Sequence, residues 1–343
     1  MDTASRMRVG APEPASSRTE RFAEVDWLKA VGILVVILIH TVRSPWEIGA
    51  APVEFWLGRI TRFAVPGFLM ASGFLYATRE SVPLATTRGR LTRILVPYLV
   101  FSIAAQIFRF ARGEGPMTGS IAGDLLLANS FGPYYYVFIA AILAATAPLL
   151  VRLSPRALAL LLVPEIAVQA YFEIYAEPDL FWHLRNPVLW LPYFQLGWMA
   201  RLNYPRLRRI TRSQRRITVG IGIVISAILF ALLWSSRSDT LLRALDWFAI
   251  WSVLAAMFFS MCGRNTPAPG GAVTRALSDV TYPVYLAHVF FLGPLKAWMA
   301  PARGVFEPSA LLVPWLGSLM LSLALVYVGR AVLGRRSRTW LGA

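Results

Sequence analysis

Apolar residues in this chain fall into long, nearly unbroken runs. They show neither the three-or-four spacing of a surface helix nor the alternation of a half-buried strand. Runs long enough to cross a hydrocarbon core lie near 27–44, 55–77, 91–111, 133–151, 157–173, 187–201, 216–235, 244–262, 279–299 and 310–333. The sixth is short and flanked by prolines. The pattern predicts an all-α, polytopic membrane protein with about ten transmembrane helices, and the lack of alternation argues against a barrel. Residues 1–25 are polar, with Arg6, Arg8, Arg18 and Arg21 among Ala, Pro and Ser, and read as a disordered cytoplasmic tail. Residues 26–334 read as one membrane domain and 335–343 as a basic cytoplasmic tail. The first run lacks the short core and small-residue cleavage site of a signal peptide, so it reads as a retained span. No repeat of fixed period and no long linker stand out.

Composition agrees with this class. Of 343 residues, 57% are hydrophobic and 15% charged, with mean hydropathy +0.55. A net charge of +16 in a soluble chain would suggest nucleic acid. Here it follows from arginines in the loops, so no nucleic-acid partner is expected. With the N-terminus placed in the cytoplasm, the inner segments hold twenty-three arginines and the outer ones seven. Every inner segment has at least two, which supports ten spans with both termini cytoplasmic. Cys262 is the sole cysteine, which excludes an intrachain disulfide and a multi-cysteine metal site. It reads as an inert core thiol, and no His/Asp/Glu spacing suggests a metal.

Ionisable groups inside apolar runs are costly and point to function. Lys29 and His40 share the first run, eleven residues apart, which is about 16 Å of rise and close to three turns. They therefore share roughly one face. His40 reads evenly as a general base or as a histidine bonded within the bundle. Lys29, three residues after Asp26, favours a snorkelling surface pair. Arg90 and Arg93 read as inner-side anchors or as a phosphate-binding pair. Arg59 and Arg62 stand equally as groups that position an anionic acceptor or stabilise an oxyanion, and as structural partners of Glu54 or a helix end. Glu165, one turn before Gln169, favours a structural ion pair over a role beside His40. Ser72 reads as a packing residue. His288, with Tyr282 and Tyr285, lines a cavity or bonds a neighbouring helix. His183 reads as solvated in an outer loop.

Four stretches, in order, change these weights: VDWLKAVGILVVILIH, FAVPGFLMASGFLY, RGRLTRILVPY and SDVTYPVYLAH. Together they resemble the acyltransferase 3 family of membrane acyltransferases, in its stand-alone form without a C-terminal hydrolase-like domain. Two departures are Lys29, where the family usually has arginine, and GPYYYVF, where many relatives carry tryptophan. The lysine form resembles the branch that includes sugar O-acetyltransferases. The resemblance implies acetyl-CoA or another acyl-CoA as donor, with Arg90 and Arg93 on its phosphates. It implies His40 as base and Lys29 orienting the inner half of the site or touching the donor. The acceptor would be a hydroxyl of a carbohydrate or cell-envelope glycan, met by a multi-pass protein of the bacterial inner membrane. Arg59, Arg62, Glu165 and His288 would then be acceptor-side residues. A transporter or flippase for a polar lipid or sugar-linked carrier is the competing class, since proline-broken helices with buried charges suit it too. A structural subunit of a glycan-assembly complex is a third.

Overall fold

The computed structural model describes residues 21–42, 52–78, 81–176, 179–235, 239–260, 262–263, 270–299 and 307–342. Arg6, Arg8 and Arg18, most of the expected N-terminal tail, and Arg43, Arg79, Glu177, Arg237, Arg264 and Arg303 lie outside these residues. Among the described residues all regular structure is helical: Ala23–Thr41 (α1), Pro52–Ile60 (α2), Ala64–Tyr76 (α3), Leu84–Ala111 (α4), Ile121–Leu126 (α5), Tyr135–Leu150 (α6), Pro155–Ile174 (α7) and Leu180–Arg185 (α8). There follow Pro187–Leu202 (α9), Tyr204–Leu207 (α10), Arg212–Ser235 (α11), Asp239–Phe259 (α12), Gly271–Trp298 (α13), Pro308–Leu333 (α14) and Ser337–Trp340 (α15). Each predicted run is therefore helical.

Six of these helices are long and apolar enough to cross a membrane: Leu84–Ala111, Gly132–Leu150, Pro155–Ile174, Arg212–Leu233, Thr240–Phe259 and Pro308–Trp340. The other four expected spans are α1, α2 with α3, α9 and α13. They are short or broken, or they carry charges such as Glu24, Asp26 and Lys29 in α1 and Arg275, Asp279 and Lys296 in α13. The second run differs from its expected single helix. It breaks at a 3-10 turn, Thr61–Phe63, between α2 and α3. Pro66 has no N–H to give the carbonyl of Arg62, which removes one helical bond at the break, although α4 runs on through Pro97. Local signals set the starts elsewhere. Ser154 and Asn186 accept from the N–H groups of Ala157 (3.1 Å) and Val188 (3.1 Å), and each precedes a proline at the first helical position.

At the centre, α1 packs on α3 and α13, and α3 packs on α9. The α3–α9 approach needs glycine on both sides. A Cβ on Gly73 would sit 1.9 Å from the Phe194 carbonyl oxygen, and one on Gly197 would sit 1.9 Å from that of Met70. Close backbone contact through small residues is how helices associate where lipid removes the hydrophobic drive. One core cluster joins Leu28, Leu69, Phe74, Phe194 and Trp198; a second joins Ile33, Ile37, Tyr134, Val284 and Leu286. The helix α15 lies within the expected basic tail, and Leu341 packs into the second cluster.

Helices α1 and α13 run parallel, which gives the bundle two faces. Near the start of α1, Ser278 Oγ donates to Asp26 Oδ1 at 2.7 Å; near its end, Lys296 Nζ donates to the His40 carbonyl at 3.0 Å. These are called the start face and the end face below.

Candidate active site

His40 lies in the last turn of α1 and stacks on His288 of α13, with ring centroids 5.7 Å apart and planes 26° from parallel. His40 is partly accessible, whereas His288 is fully buried. The Nδ1 of His288 lies 2.5 Å from the carbonyl oxygen of Tyr285. A carbonyl only accepts, so Nδ1 carries the proton and the neutral ring leaves Nε2 as an acceptor. That Nε2 is buried and has no partner among the described residues. Lys296, two turns beyond His288, holds the carbonyl of His40 and so fixes the last turn of α1.

The sequence GPYYYVF supplies the wall beside this pair. The Tyr134 hydroxyl donates to the Leu286 carbonyl at 2.6 Å, and that of Tyr285 donates to the Pro133 carbonyl. These bonds fasten the start of α6 to α13. The three tyrosines then point in different directions. Tyr134 enters the core, Tyr135 lies 5.9 Å from the Trp190 ring, and Tyr136 lies 5.3 Å from the Tyr285 ring.

A cavity of about 290 Å³ opens from the start face. Lys29, Arg93 and Asp279 line one end, and Phe68, Tyr136 and Tyr285 line the other. His40 is not among its lining residues. The Tyr285 and His288 rings, 5.7 Å apart, stand between the cavity and His40. Arg90 and Arg93 do not share the cavity wall. Arg93 lines it, while Arg90 places its guanidinium 4.5 Å from the Tyr76 ring centroid and donates to the Tyr76 carbonyl at 3.3 Å. Tyr76 itself lines the cavity. The expected pairing of Lys29 with Asp26 gives way to another arrangement. Asp26 is held by Arg21 at 3.1 Å and by Ser278, and Lys29 points to the cavity. Ser72, expected as a packing residue, also lines the cavity.

A second cavity, of about 250 Å³, includes Arg59, Arg62, Glu173, His183, Trp190 and Asp246. Arg59 Nη1 lies 2.9 Å from Asp246 Oδ2, and Arg62 binds the same oxygen. Asp246, on α12, is 184 residues from Arg62, and nothing local in the sequence marks it as the partner. His183 is not a solvated loop residue. It lies in α8 with its side chain 12% exposed, and its Nε2 meets Glu173 Oε1 at 3.3 Å. Glu165 also departs from expectation. It is buried, and neither carboxylate oxygen has a hydrogen-bond partner among the described residues. Its neighbour Gln169 is engaged instead, donating to the Leu189 carbonyl at 2.6 Å and accepting from Trp247 Nε1 at 3.2 Å.

No group of three or more His, Cys, Asp or Glu able to hold a metal occurs among the described residues. Cys262 is fully buried, with its Sγ 3.5 Å from the Phe258 carbonyl oxygen, as an inert core thiol would be. Sequence reading missed Asp246 and Lys296, and it noted GPYYYVF only as a departure. Lys296 follows His288 at the spacing of two turns, a signal that was available.

Neither a curated protein nor a solved structure matches this chain. The acyltransferase domain, by contrast, matches residues 22–330, from the start of α1 almost to the end of α14. That stretch contains the histidine pair, the second cavity and the lining of the first apart from Gly342, and the chain belongs to the acyltransferase 3 family of membrane acyltransferases.

Proposed function

We propose that this membrane acyltransferase moves an acyl group, acetyl in the simplest case, from an acyl-CoA to a carbohydrate or cell-envelope glycan hydroxyl. The observation that carries this reading is the His40–His288 pair, set beyond a cavity whose opposite end holds Lys29 and Arg93. The start face is the cytoplasmic one, and both termini lie there. The phosphates of the donor rest near Arg93, with Arg90 supporting that wall through Tyr76. The flexible pantetheine arm extends along Lys29 and past Tyr136 and Tyr285. Side-chain movement of Tyr285 joins the cavity to His40.

His40 takes the proton of the acceptor hydroxyl as its oxygen attacks the thioester carbonyl. The new C–O bond forms, the C–S bond breaks, and the proton passes from His40 to the departing thiolate of CoA. No acyl-enzyme is needed. His288 backs the ring of His40, and Lys296 sets its height. The acceptor comes from the end face, where Arg59 and Arg62 line the second cavity. The arginine clusters of the loops suit an inner bacterial membrane with both ends inside.

The test uses purified protein in detergent with labelled acetyl-CoA. Wild type releases or transfers the label, and His40→Ala lowers the rate about 10²–10⁴-fold. An unchanged rate in His40→Ala removes the histidine from the chemistry. A wild type that leaves acetyl-CoA intact, with His40→Ala altering substrate flux in vesicles, points to the transporter class.

A further inference from the structure

The second cavity has a charge arrangement that an ordinary acceptor hydroxyl would not require. Asp246 faces two guanidiniums at once, those of Arg59 and Arg62. The three groups are unequally accessible. The side chains of Arg59 and Asp246 are 2% and 4% exposed, but that of Arg62 is 41% exposed. The Asp246 carboxylate is thus covered, and Arg62 offers its guanidinium to the cavity. Glu173, on the same wall with its side chain 25% exposed, meets His183 Nε2 at 3.3 Å. Arg243 adds a further cation and donates to the Ala176 carbonyl at 2.9 Å. A guanidinium bound on one side by an acid keeps other N–H groups for a second partner, and its planar fork matches a carboxylate or phosphate. Trp190 and Trp247 line the same space. Trp190 is partly exposed, and its face is the kind of surface on which a sugar ring lies, while Trp247 is buried. The two N–H groups are directed elsewhere, to the Leu184 carbonyl at 3.0 Å and to Gln169.

We infer that this cavity receives a glycan unit bearing an acidic group, a carboxylate or a phosphate, read by Arg62 while the ring rests on Trp190. The inference builds on the carbohydrate acceptor proposed above and narrows its chemical class. Asp246 then has a purpose beyond charge balance. It holds Arg62 in place before the glycan arrives, so that little side-chain entropy is lost on binding.

Binding is measured by calorimetry without donor, in a neutral detergent free of phospholipid. The probes are methyl β-glucuronide, glucose 1-phosphate, methyl β-glucoside and inorganic phosphate. Both charged sugars are expected to bind at least about tenfold more tightly than the neutral glucoside, as a charge-assisted bidentate contact gives. Glucose 1-phosphate should also exceed inorganic phosphate. Arg62→Gln should abolish the preference for charge, and Arg62→Lys should keep part of it. Equal binding of glucoside and glucuronide overturns the inference. Inorganic phosphate binding as tightly as the sugar phosphate also overturns it, since the site would then be an anion hole without glycan recognition. So does an intact preference in Arg62→Gln. If that variant fails to elute as a single folded species, the wild-type comparison decides alone. A chain that prefers charged sugars yet never consumes acetyl-CoA keeps this site and loses the reaction. A chain that transfers acetyl without the preference does the opposite.

Discussion

Two sets of helices in this bundle meet opposite demands. The helices α4, α6, α7, α11, α12 and α14 are long and apolar and pass as membrane spans on composition alone. Much of their surface is turned outward. In α11 only 6% of the most apolar stretch is buried, and Ile223 and Ile228 on it are exposed. The helices α1, α3, α9 and α13 fail that same test, yet they occupy the centre. Leu28, Leu69, Phe194 and Leu286 on them are buried to 2% exposure or less. The central helices also hold Lys29, His40, Ser72, His288 and Lys296. An apolar helix in lipid faces surroundings as apolar as itself, so it gains nothing from carrying polar groups. A helix surrounded by other helices can carry them, provided that cavities or partners receive them. Uninterrupted length free of charge therefore marks the shell, and short or charge-bearing helices mark the working centre.

The comparison can be broken most severely where the two sets are tied by charge. Asp246→Asn removes the carboxylate that α12 gives to Arg59 and Arg62. Breaking a buried pair by deleting one partner costs about 3–5 kcal/mol, so a large loss of thermal stability in detergent is expected. An unchanged melting temperature would mean that the tie contributes little. Next comes Gly73→Ala, which forces a methyl group against the Phe194 carbonyl inside the central set. Overpacking of this kind costs about 1–3 kcal/mol, again read by thermal unfolding. Wild-type stability would show that α3 and α9 can separate without penalty. Smallest is Ile223→Ala on α11, an exposed apolar position, for which a change under about 0.5 kcal/mol is expected. A loss as large as that of Gly73→Ala would place α11 in the packed interior and erase the distinction.

The same contrast explains what could be seen in the sequence. All ten runs are helical because long apolar stretches leave the backbone no water to bond with, and an α-helix satisfies it internally. The break between α2 and α3 was not read from the sequence, and Pro66 alone does not mark it, since α4 and α13 run on through Pro97 and Pro283. The start-face residues and His40 were legible because Lys29, Arg90, Arg93 and His40 sit in contiguous motifs, each within one helix or one turn. The second cavity was only half legible. Arg59 and Arg62 were visible as charges in an apolar run. Their partner Asp246 lies on another helix, and the Glu173–His183 pair depends on α8 folding back toward α7. Such contacts exist only once the helices are packed. Glu165 shows the limit from the other side. Chemistry demands a partner for a buried carboxylate, and the described residues supply no hydrogen bond to either oxygen.

The path of the donor is the most direct point of test. A diazirine-bearing acetyl-CoA analogue, photolysed on the purified protein and mapped by peptide mass spectrometry, would report which wall it touches. Labelling is expected on the start-face cavity, in the stretch from Ser278 to Tyr285 and around Tyr76 and Arg93, with competition by unlabelled acetyl-CoA. Competed labelling confined to Glu173, His183 or Trp190 would place the donor in the other cavity and contradict delivery from the start face to His40.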